Sequence, residues 1–172
     1  MMKQLVAWGS LILTIGLYSS PPVSLASEET VRLINVSSNL VDWPTRLEIN
    51  LSRRQVTLYY ENMPVKSYPV AVGRPGWETP TGDFQVIQMF QNPRWINPLT
   101  GKQIPGGDPQ NPLGRYWIGF STNGRDWIGL HGTPNPNSVG RAASHGCIRM
   151  YNKDIEELFY LVTLGTAVKV VP

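Results

Sequence analysis

The sequence predicts one mostly β domain over residues 45–172, with a single main helix near the C-terminus and a long, lid-like loop in its middle. Three observations favour this fold class: short segments in which apolar and polar residues alternate, one segment with helical spacing, and one long stretch rich in proline and glycine. The length and the 41% hydrophobic content suit a single domain with an ordinary core.

The strands are predicted from their period of two. Leu47, Ile49 and Leu51 alternate with polar residues, and the alternation resumes at Val56 after a turn, which predicts a pair of adjacent strands. Further strands are expected at residues 68–72, 84–88, 116–120, 127–130 and 167–171. Pro69 favours an edge strand or a strand start, because proline cannot donate a hydrogen bond to a sheet.

The helix is predicted to begin at Asn152 as its N-cap and to end at Gly165, with acidic residues in its early turns. One apolar stripe is formed by Ile155, Leu158, Phe159 and Val162. We interpret this stripe as core packing and not as a binding surface.

The loop covers residues 89–115 and contains five prolines and four glycines. Such a composition excludes long regular elements, and loops of this length often act as lids. Phe90 and Trp95 are candidates to cover a substrate. A packed surface insertion is an equally acceptable interpretation.

The N-terminus is typical of a signal peptide. Residues 1–3 contain Lys3, residues 5–18 are apolar, and Ser24 and Ala26 supply small residues for cleavage after position 26. We predict a signal peptide at 1–26 and a leader or linker at 27–44. If the segment is retained instead, it is the only expected membrane contact.

The charge balance excludes a nucleic-acid footprint. Lysine and arginine number 15 against 12 acidic residues, and loss of Lys3 with the signal peptide leaves 14, scattered among the acids. We expect no nucleic-acid partner and a monomeric protein.

Candidate chemistry is concentrated in one short region. The only cysteine, Cys147, and both histidines, His131 and His145, lie within residues 131–147. A thiol becomes a good nucleophile when a nearby imidazole takes its proton. Gly146 allows a tight backbone conformation that can direct N–H groups at an oxyanion. His131 follows an apolar run, so we expect it at the end of a strand.

These motifs resemble those of a known family. His131-Gly132-Thr133, followed by a second motif, is similar to the signature of the L,D-transpeptidase (YkuD-type) catalytic domain of bacterial cell-wall enzymes. The second motif is Ser144-His145-Gly146-Cys147-Ile148-Arg149-Met150. Residues 78–84 and 106–114 also resemble family segments, so the resemblance extends from about residue 45 to 172. It implies a β-sandwich.

The resemblance implies roles for individual residues. Cys147 is the expected nucleophile and His131 the expected general base. The oxyanion hole is implied to consist of backbone N–H groups near His145, Gly146 and Cys147. The residues implied to bind substrate are Arg149, Ser144 and Gly132, and the fixed fork of donors on Arg149 suits a carboxylate.

The implied reaction is acyl transfer between peptidoglycan stem peptides, which serve as donor and acceptor. Cys147 attacks the third residue of a tetrapeptide stem, D-alanine leaves, and an amine takes the acyl group to form a 3→3 cross-link. No cofactor and no metal are expected. With the signal peptide, the resemblance implies export across the inner membrane to the periplasm and cell wall.

Several alternatives remain open at this stage. Water in place of the amine would make the protein a carboxypeptidase or hydrolase with the same Cys147 and His131. A non-enzymatic wall-binding domain, or a zinc site that includes His145, is the other class, although no fourth ligand completes such a site. His145 is either a support for the loop or a substrate contact, and Arg149 is either a substrate ligand or merely solvated.

The group that orients His131 also remains open. The candidates are the side chains of Asp126, Asn135, Ser138 and Ser144 and a main-chain carbonyl.

Overall fold

A computed structural model describes residues 45–97, 100–122, 124 and 126–172. The predicted signal peptide and leader, residues 1–44, lie outside the described residues. None of the helices in the described part of the chain has the length and apolar character needed to cross a membrane.

The described chain is mostly strand, with one α-helix. The strands are β1 (Thr45–Asn50), β2 (Gln55–Tyr60), β3 (Met63–Pro69), β4 (Val72–Gly73), β5 (Gly82–Gln85), β6 (Gln88–Gln91), β7 (Trp95–Ile96), β8 (Gln103–Ile104), β9 (Tyr116–Thr122), β10 (Trp127–His131), β11 (Ala142–Ser144), β12 (Ile148–Arg149) and β13 (Ala167–Val171), and the helix is α1 (Asn152–Leu161).

The first sheet has five strands in the order β3-β2-β1-β13-β5. The predicted pair at its centre is confirmed: β1 and β2 are antiparallel, with Leu47 opposite Leu58. The C-terminal strand β13 runs parallel to β1, with Leu47 opposite Val168. The alternation read from the sequence therefore directs one apolar face of this sheet toward the interior.

The second sheet has four strands in the order β12-β10-β9-β6. β9 and β10 are antiparallel, with a bulge between Ile128 and Gly129. β10 and β12 are parallel, which places Leu130 opposite Ile148 and His131 opposite Arg149. This short parallel pair positions the candidate site.

Side chains from both sheets form one hydrophobic core, and the predicted fold class is confirmed. Leu47 and Ile49 of the first sheet and Ile118 and Leu130 of the second are fully buried in the same cluster. α1 adds Ile155 and Leu158, also fully buried, so the predicted stripe is core packing. Burial of each such side chain contributes about 1.5–3 kcal/mol.

The single strand predicted at residues 84–88 is wrong, because the chain changes sheets within it. The Val86 N–H donates to Thr166 O beside the first sheet, whereas the Ile87 N–H donates to Gly119 O of β9. The apolar pattern continues through the change, because Val86 is buried as a strand residue would be. The result is two short strands, β5 and β6.

The predicted helix cap is also wrong. Tyr151 is the N-cap and Asn152 is the first helical residue. The Asn152 side-chain oxygen accepts a hydrogen bond from the Thr133 N–H at 2.9 Å instead of capping the helix. The helix ends at Leu161, before Gly165, which has a φ of 87° in the following turn.

The long loop is shorter and more ordered than its composition indicates. β6 occupies its first residues, and β7 and β8 form a small antiparallel hairpin. The fully buried amide of Asn111 holds the rest together: its nitrogen donates to Pro93 O at 2.8 Å and Pro105 O at 3.0 Å. The described part of this region is therefore a packed insertion held together by its own hydrogen bonds. Its use as a lid stays a prediction.

We predict that Ile118→Ala lowers the free energy of unfolding by about 2–5 kcal/mol, because it leaves a cavity in the shared core. Val65→Ala on β3 is the control, since Val65 is 60% exposed and its truncation should change stability by less than about 0.5 kcal/mol. Urea unfolding of both variants measures the difference. Similar losses in the two variants would contradict the placement of the core.

Candidate active site

The parallel pairing of β10 with β12 collects the candidate residues on one face. Leu130 and Ile148 are opposite each other and point into the core with no exposed surface. Successive side chains in a strand alternate between faces, so His131 and Arg149 point to the opposite face. Cys147 immediately precedes β12 and shares the face of Arg149 by the same alternation. The structure thus places Cys147, His131 and Arg149 on one face of this strand pair. Their roles in catalysis and binding stay predictions.

The His131 ring is oriented by a main-chain carbonyl. His131 is 5% exposed, and its Nδ1 lies 2.6 Å from Gly132 O. A carbonyl only accepts hydrogen bonds, so Nδ1 carries the proton and Nε2 is the basic nitrogen. The main chain of Pro112, from the long insertion, lies near the ring and acts to raise its pKa. The group that orients His131, which the sequence left open, is therefore the Gly132 carbonyl.

The two serine side chains considered as orienting groups are engaged elsewhere. The Ser138 hydroxyl donates to Asn135 O at 2.7 Å, and the Ser144 hydroxyl donates to Cys147 O at 2.5 Å. Asn135 is connected through its main-chain N–H to Thr133 Oγ1.

Burial keeps His131 neutral. It lowers the pKa of His131 from 6.5 to about 4, and the positive charge of Arg149 acts in the same direction. The Gly132 and Pro112 carbonyls oppose this shift only in part, since carbonyl acceptors favour the charged ring. At neutral pH the imidazole is therefore uncharged, and its Nε2 carries no proton.

The Cys147 thiol is held by the backbone of β10. Its Sγ lies 3.5 Å from Trp127 O, and the main chain of Gly129 also hydrogen-bonds to the sulfur. Burial raises the pKa of Cys147, while Gly129 and the charge of Arg149 lower it and only partly compensate. At neutral pH the Cys147 thiol and the His131 imidazole are thus both uncharged.

The loop before Cys147 has a backbone that only glycine adopts easily. Gly146 has a φ of 106°, and a Cβ at this position would lie 3.0 Å from Ile128 Cδ1. The Ser144 hydroxyl accepts from the Gly146 N–H at 3.1 Å and donates to Cys147 O. Ser144 is 1% exposed, so its position indicates support of the loop and not the expected contact with substrate.

Thr79 connects this loop to the rest of the domain. Its buried hydroxyl donates to Gly146 O at 2.8 Å and accepts from the Gly73 N–H at 3.1 Å. Gly73 allows this close approach, because a Cβ there would lie 2.1 Å from Trp77 O. The Thr79 side chain therefore connects the backbone of the cysteine loop at Gly146 to that of β4 at Gly73.

Trp117 forms one side of the His131 environment. It lies opposite His131 in the β9–β10 pair, and the two rings are nearly parallel, with centroids 5.9 Å apart. The indole occupies space that two glycines leave open. A Cβ on Gly119 or on Gly129 would come within 2.8 Å of the Trp117 ring. Sequence analysis missed this arrangement, although two glycines inside adjacent apolar strands were a usable signal.

Gly132 and Asn152 complete the support of His131. A Cβ on Gly132 would lie 2.2 Å from Asn152 Oδ1, so only glycine allows this contact. Gly132 is buried, and its carbonyl serves the histidine, which differs from the substrate contact that the motif implied. The role of Asn152 escaped sequence analysis because its partner, Thr133, is distant in the chain.

The alternative of a zinc site receives no support. The described residues contain no group of three or more histidine, cysteine, aspartate or glutamate side chains arranged to hold a metal ion. The His145 ring is turned toward other partners: its Nε2 lies 2.8 Å from Arg74 Nη2, and its centroid lies 4.7 Å from that of Trp77.

We predict that His131 makes stability dependent on pH between about 4 and 6.5. As the pH falls through this window, the unfolded state takes up a proton that the buried ring refuses, so stability present above pH 6.5 is lost by up to about 3 kcal/mol. Urea unfolding of wild type and His131→Gln across pH 4–7 measures this contribution. Parallel pH profiles for the two proteins would contradict it.

We predict that Thr79→Val destabilises the domain by about 1–3 kcal/mol, because it leaves Gly146 O and the Gly73 N–H without their partner. Thr57→Val is the matched control: the Thr57 hydroxyl pairs with Ser67 Oγ at an exposed position of the first sheet. Its cost should stay below about 0.5 kcal/mol in the same denaturant titration. Equal costs would show that Thr79 carries no special connection.

Comparisons with known proteins identify the family and the fold of the chain. Residues 44–170 match the family model of the L,D-transpeptidase catalytic domain. Among curated proteins, the chain is 39% identical over 129 residues to YkuD of Bacillus licheniformis, which covers 75% of this chain and 67% of that protein. It is 38% identical over 122 residues to YqjB of Bacillus subtilis, which covers 70% and 67%. Both names assign the proteins provisionally to the L,D-transpeptidases.

Solved structures share the fold. An L,D-transpeptidase from Mycobacterium tuberculosis H37Rv aligns with a TM-score of 0.61 at 20% identity, over 76% of this chain and 58% of that one. The structure of LdtMt1 in complex with imipenem aligns with a TM-score of 0.63 at 21% identity, over 75% and 59%. The chain thus spans somewhat more than half of these longer proteins. On the family model and the Bacillus relatives together, the chain belongs to the L,D-transpeptidase catalytic domain family.

Proposed function

We propose that this protein is a peptidoglycan L,D-transpeptidase that uses Cys147 as its nucleophile and His131 as its general base. The observation that carries the proposal is the His131 ring, buried, neutral and protonated on Nδ1, on the same sheet face as the only cysteine. A neutral thiol beside a neutral imidazole is the arrangement from which a thiolate forms as the substrate arrives.

In the proposed acylation step, His131 Nε2 takes the thiol proton and Cys147 Sγ attacks the carbonyl carbon of the third residue of a tetrapeptide stem. A carbon–sulfur bond forms, and the amide carbon–nitrogen bond then breaks. The leaving D-alanine nitrogen takes the proton from His131, which leaves a thioester and a neutral imidazole.

In the second step, an amine of a neighbouring stem attacks the thioester carbon. His131 accepts the proton that the amine loses and returns it to the departing sulfur, so that the thiol and the neutral base are restored. The product contains a new amide, which is the 3→3 cross-link. No step requires a cofactor, an oxidant or a reductant.

The oxyanion of the tetrahedral intermediate needs N–H donors that have no other acceptor. The Gly146 N–H donates to Ser144 Oγ at 3.1 Å, which argues against its use as such a donor. We assign the main role to the Cys147 N–H, with the His145 N–H beside it. Gly146 then contributes its unusual φ and not its own N–H.

The same site supports a second candidate, hydrolysis, because the resting geometry does not distinguish water from an amine as acceptor. The long insertion bears on this choice, since its Pro112 contacts His131 and its Gly114 lies close to Gly132. We propose that this insertion forms one wall of the acyl-donor site. We further propose that the protein is exported through residues 1–26 and works as a monomer in the periplasm or cell wall.

The test is intact-mass spectrometry of the protein without residues 1–26, as wild type and as Cys147→Ala, with imipenem and separately with a disaccharide-tetrapeptide. We choose imipenem because a protein of the same fold is known in complex with it. We expect one imipenem adduct and a dimeric 3→3 product with wild type, and neither with Cys147→Ala, because the adduct needs the sulfur.

Circular dichroism serves as the control that Cys147→Ala is folded. An adduct accompanied only by tripeptide product would favour the hydrolase. A folded wild type that forms no adduct and no product would contradict a nucleophilic Cys147.

A further inference from the structure

A short turn beside the cysteine loop carries an arginine that the proposed chemistry does not use. Residues 74–77 form a β-turn in which the Trp77 N–H donates to Arg74 O at 2.8 Å. Pro75 and Gly76, with a φ of 81°, occupy the central positions, as a type II turn requires. The Arg74 N–H donates to Ser144 O at 3.1 Å. The turn is therefore fixed to the strand that leads into Cys147.

The Arg74 side chain is held in place at the surface. Its Nη2 lies 2.8 Å from His145 Nε2, and its Cζ lies 5.9 Å from the centre of the Trp77 ring. A guanidinium only donates hydrogen bonds, so His145 Nε2 is the acceptor and His145 is neutral. Trp77 packs edge-on against the same imidazole. His145 and Trp77 thus position an exposed cation next to the loop of the nucleophile.

A second arginine, Arg149, lies near the same loop. Arg149 is half-buried, and its N–H and C=O are both hydrogen-bonded to Ala71, at 3.0 and 2.8 Å. Ala71 lies three residues before Arg74, so the main chain itself brings the two arginines into one neighbourhood. Burial lowers the pKa of Arg149, and the nearby charge of Arg74 acts in the same direction. Burial also lowers the pKa of His145, and both arginines add to that shift.

No ion pair of Arg74 or Arg149 is found among the described residues. Among the described residues, ion pairs within 4.0 Å are Arg46 with Glu48 and Lys66 with Glu157, and neither involves Arg74 or Arg149. The acidic residue of the turn, Glu78, accepts the Gly76 N–H at 2.8 Å and so is turned back onto its own backbone. Two like charges kept close without a counterion are typical of a site for an anion.

We propose that Arg74 and Arg149 bind a free carboxylate of the acyl donor, and that Arg74 makes the protein selective for acidic over amidated stem peptides. The inference rests on the proposed function, because the stem is the donor only if Cys147 is acylated by it. Arg74 is a specificity residue here, and His145 and Trp77 are positioning residues that hold it. Two carboxylates of a tetrapeptide stem are candidates: that of the terminal D-alanine and that of the diamino acid side chain.

The experiment compares kcat/KM for three synthetic tetrapeptide stems: the free acid, the C-terminal amide and the side-chain amide. For wild type we expect at least a tenfold lower value for one of the amides, which identifies the carboxylate that is bound. For Arg74→Gln we expect at least a tenfold loss on the free acid, mostly in KM, and almost no further loss on that amide. Arg74→Lys should recover part of the loss on the free acid, because it keeps the charge without the fork.

Arg53→Gln is the control, since Arg53 is exposed on the turn between β1 and β2, in the first sheet. It should leave all three values unchanged. If Arg74→Gln lowers kcat/KM equally for acid and amide stems, Arg74 is only a structural support. If it lowers kcat/KM for neither, Arg74 does not take part in substrate recognition. Both results would overturn the inference.

The imipenem adduct separates the two failures. A wild type that forms the adduct and turns over acid and amide stems equally well contradicts the arginine pair alone. A folded wild type with neither adduct nor turnover contradicts the proposed function, and the selectivity with it.

Discussion

The parallel pairing of β10 with β12 is the constraint on which the rest of the site depends. It puts His131 opposite Arg149 and leaves Cys147 on the same face, while Leu130 and Ile148 anchor both strands in the core. A shift of the register by one residue would turn the base and the cation into the interior and the two apolar side chains outward. The burial of two aliphatic side chains therefore determines which face carries Cys147, His131 and Arg149.

Around this pair of strands, uncharged polar groups make the supporting hydrogen bonds. The hydroxyls of Ser144 and Thr79 satisfy the backbone on both sides of Gly146, and the Gly132 carbonyl fixes the tautomer of His131. None of these groups needs a charge. The charged groups are Arg74, which is exposed, and Arg149, which is half-buried. The buried polar groups of the site are thus uncharged, whereas the two cations are at least partly exposed.

The sequence predicted what is local. Alternation located most of the strands, and the motifs singled out Cys147, His131 and Arg149, which the structure places on one face. What it could not predict depends on partners far away in the chain. The change of sheet at Val86 and Ile87 and the use of Asn152 by Thr133 both follow from tertiary contacts. Arg74 belongs to the same class, because its partner His145 is 71 positions away.

The packing of the Trp117 indole also limits which substitutions the chain can accept near the site. Its ring fits only because positions 119 and 129 lack side chains, and it lies beside the histidine. A larger residue at either glycine would displace the ring, whereas a smaller residue at 117 would leave a void next to the base. These three positions are therefore expected to diverge as one unit. Substitutions at these packed positions are therefore more constrained than substitutions in the exposed turn that carries Arg74.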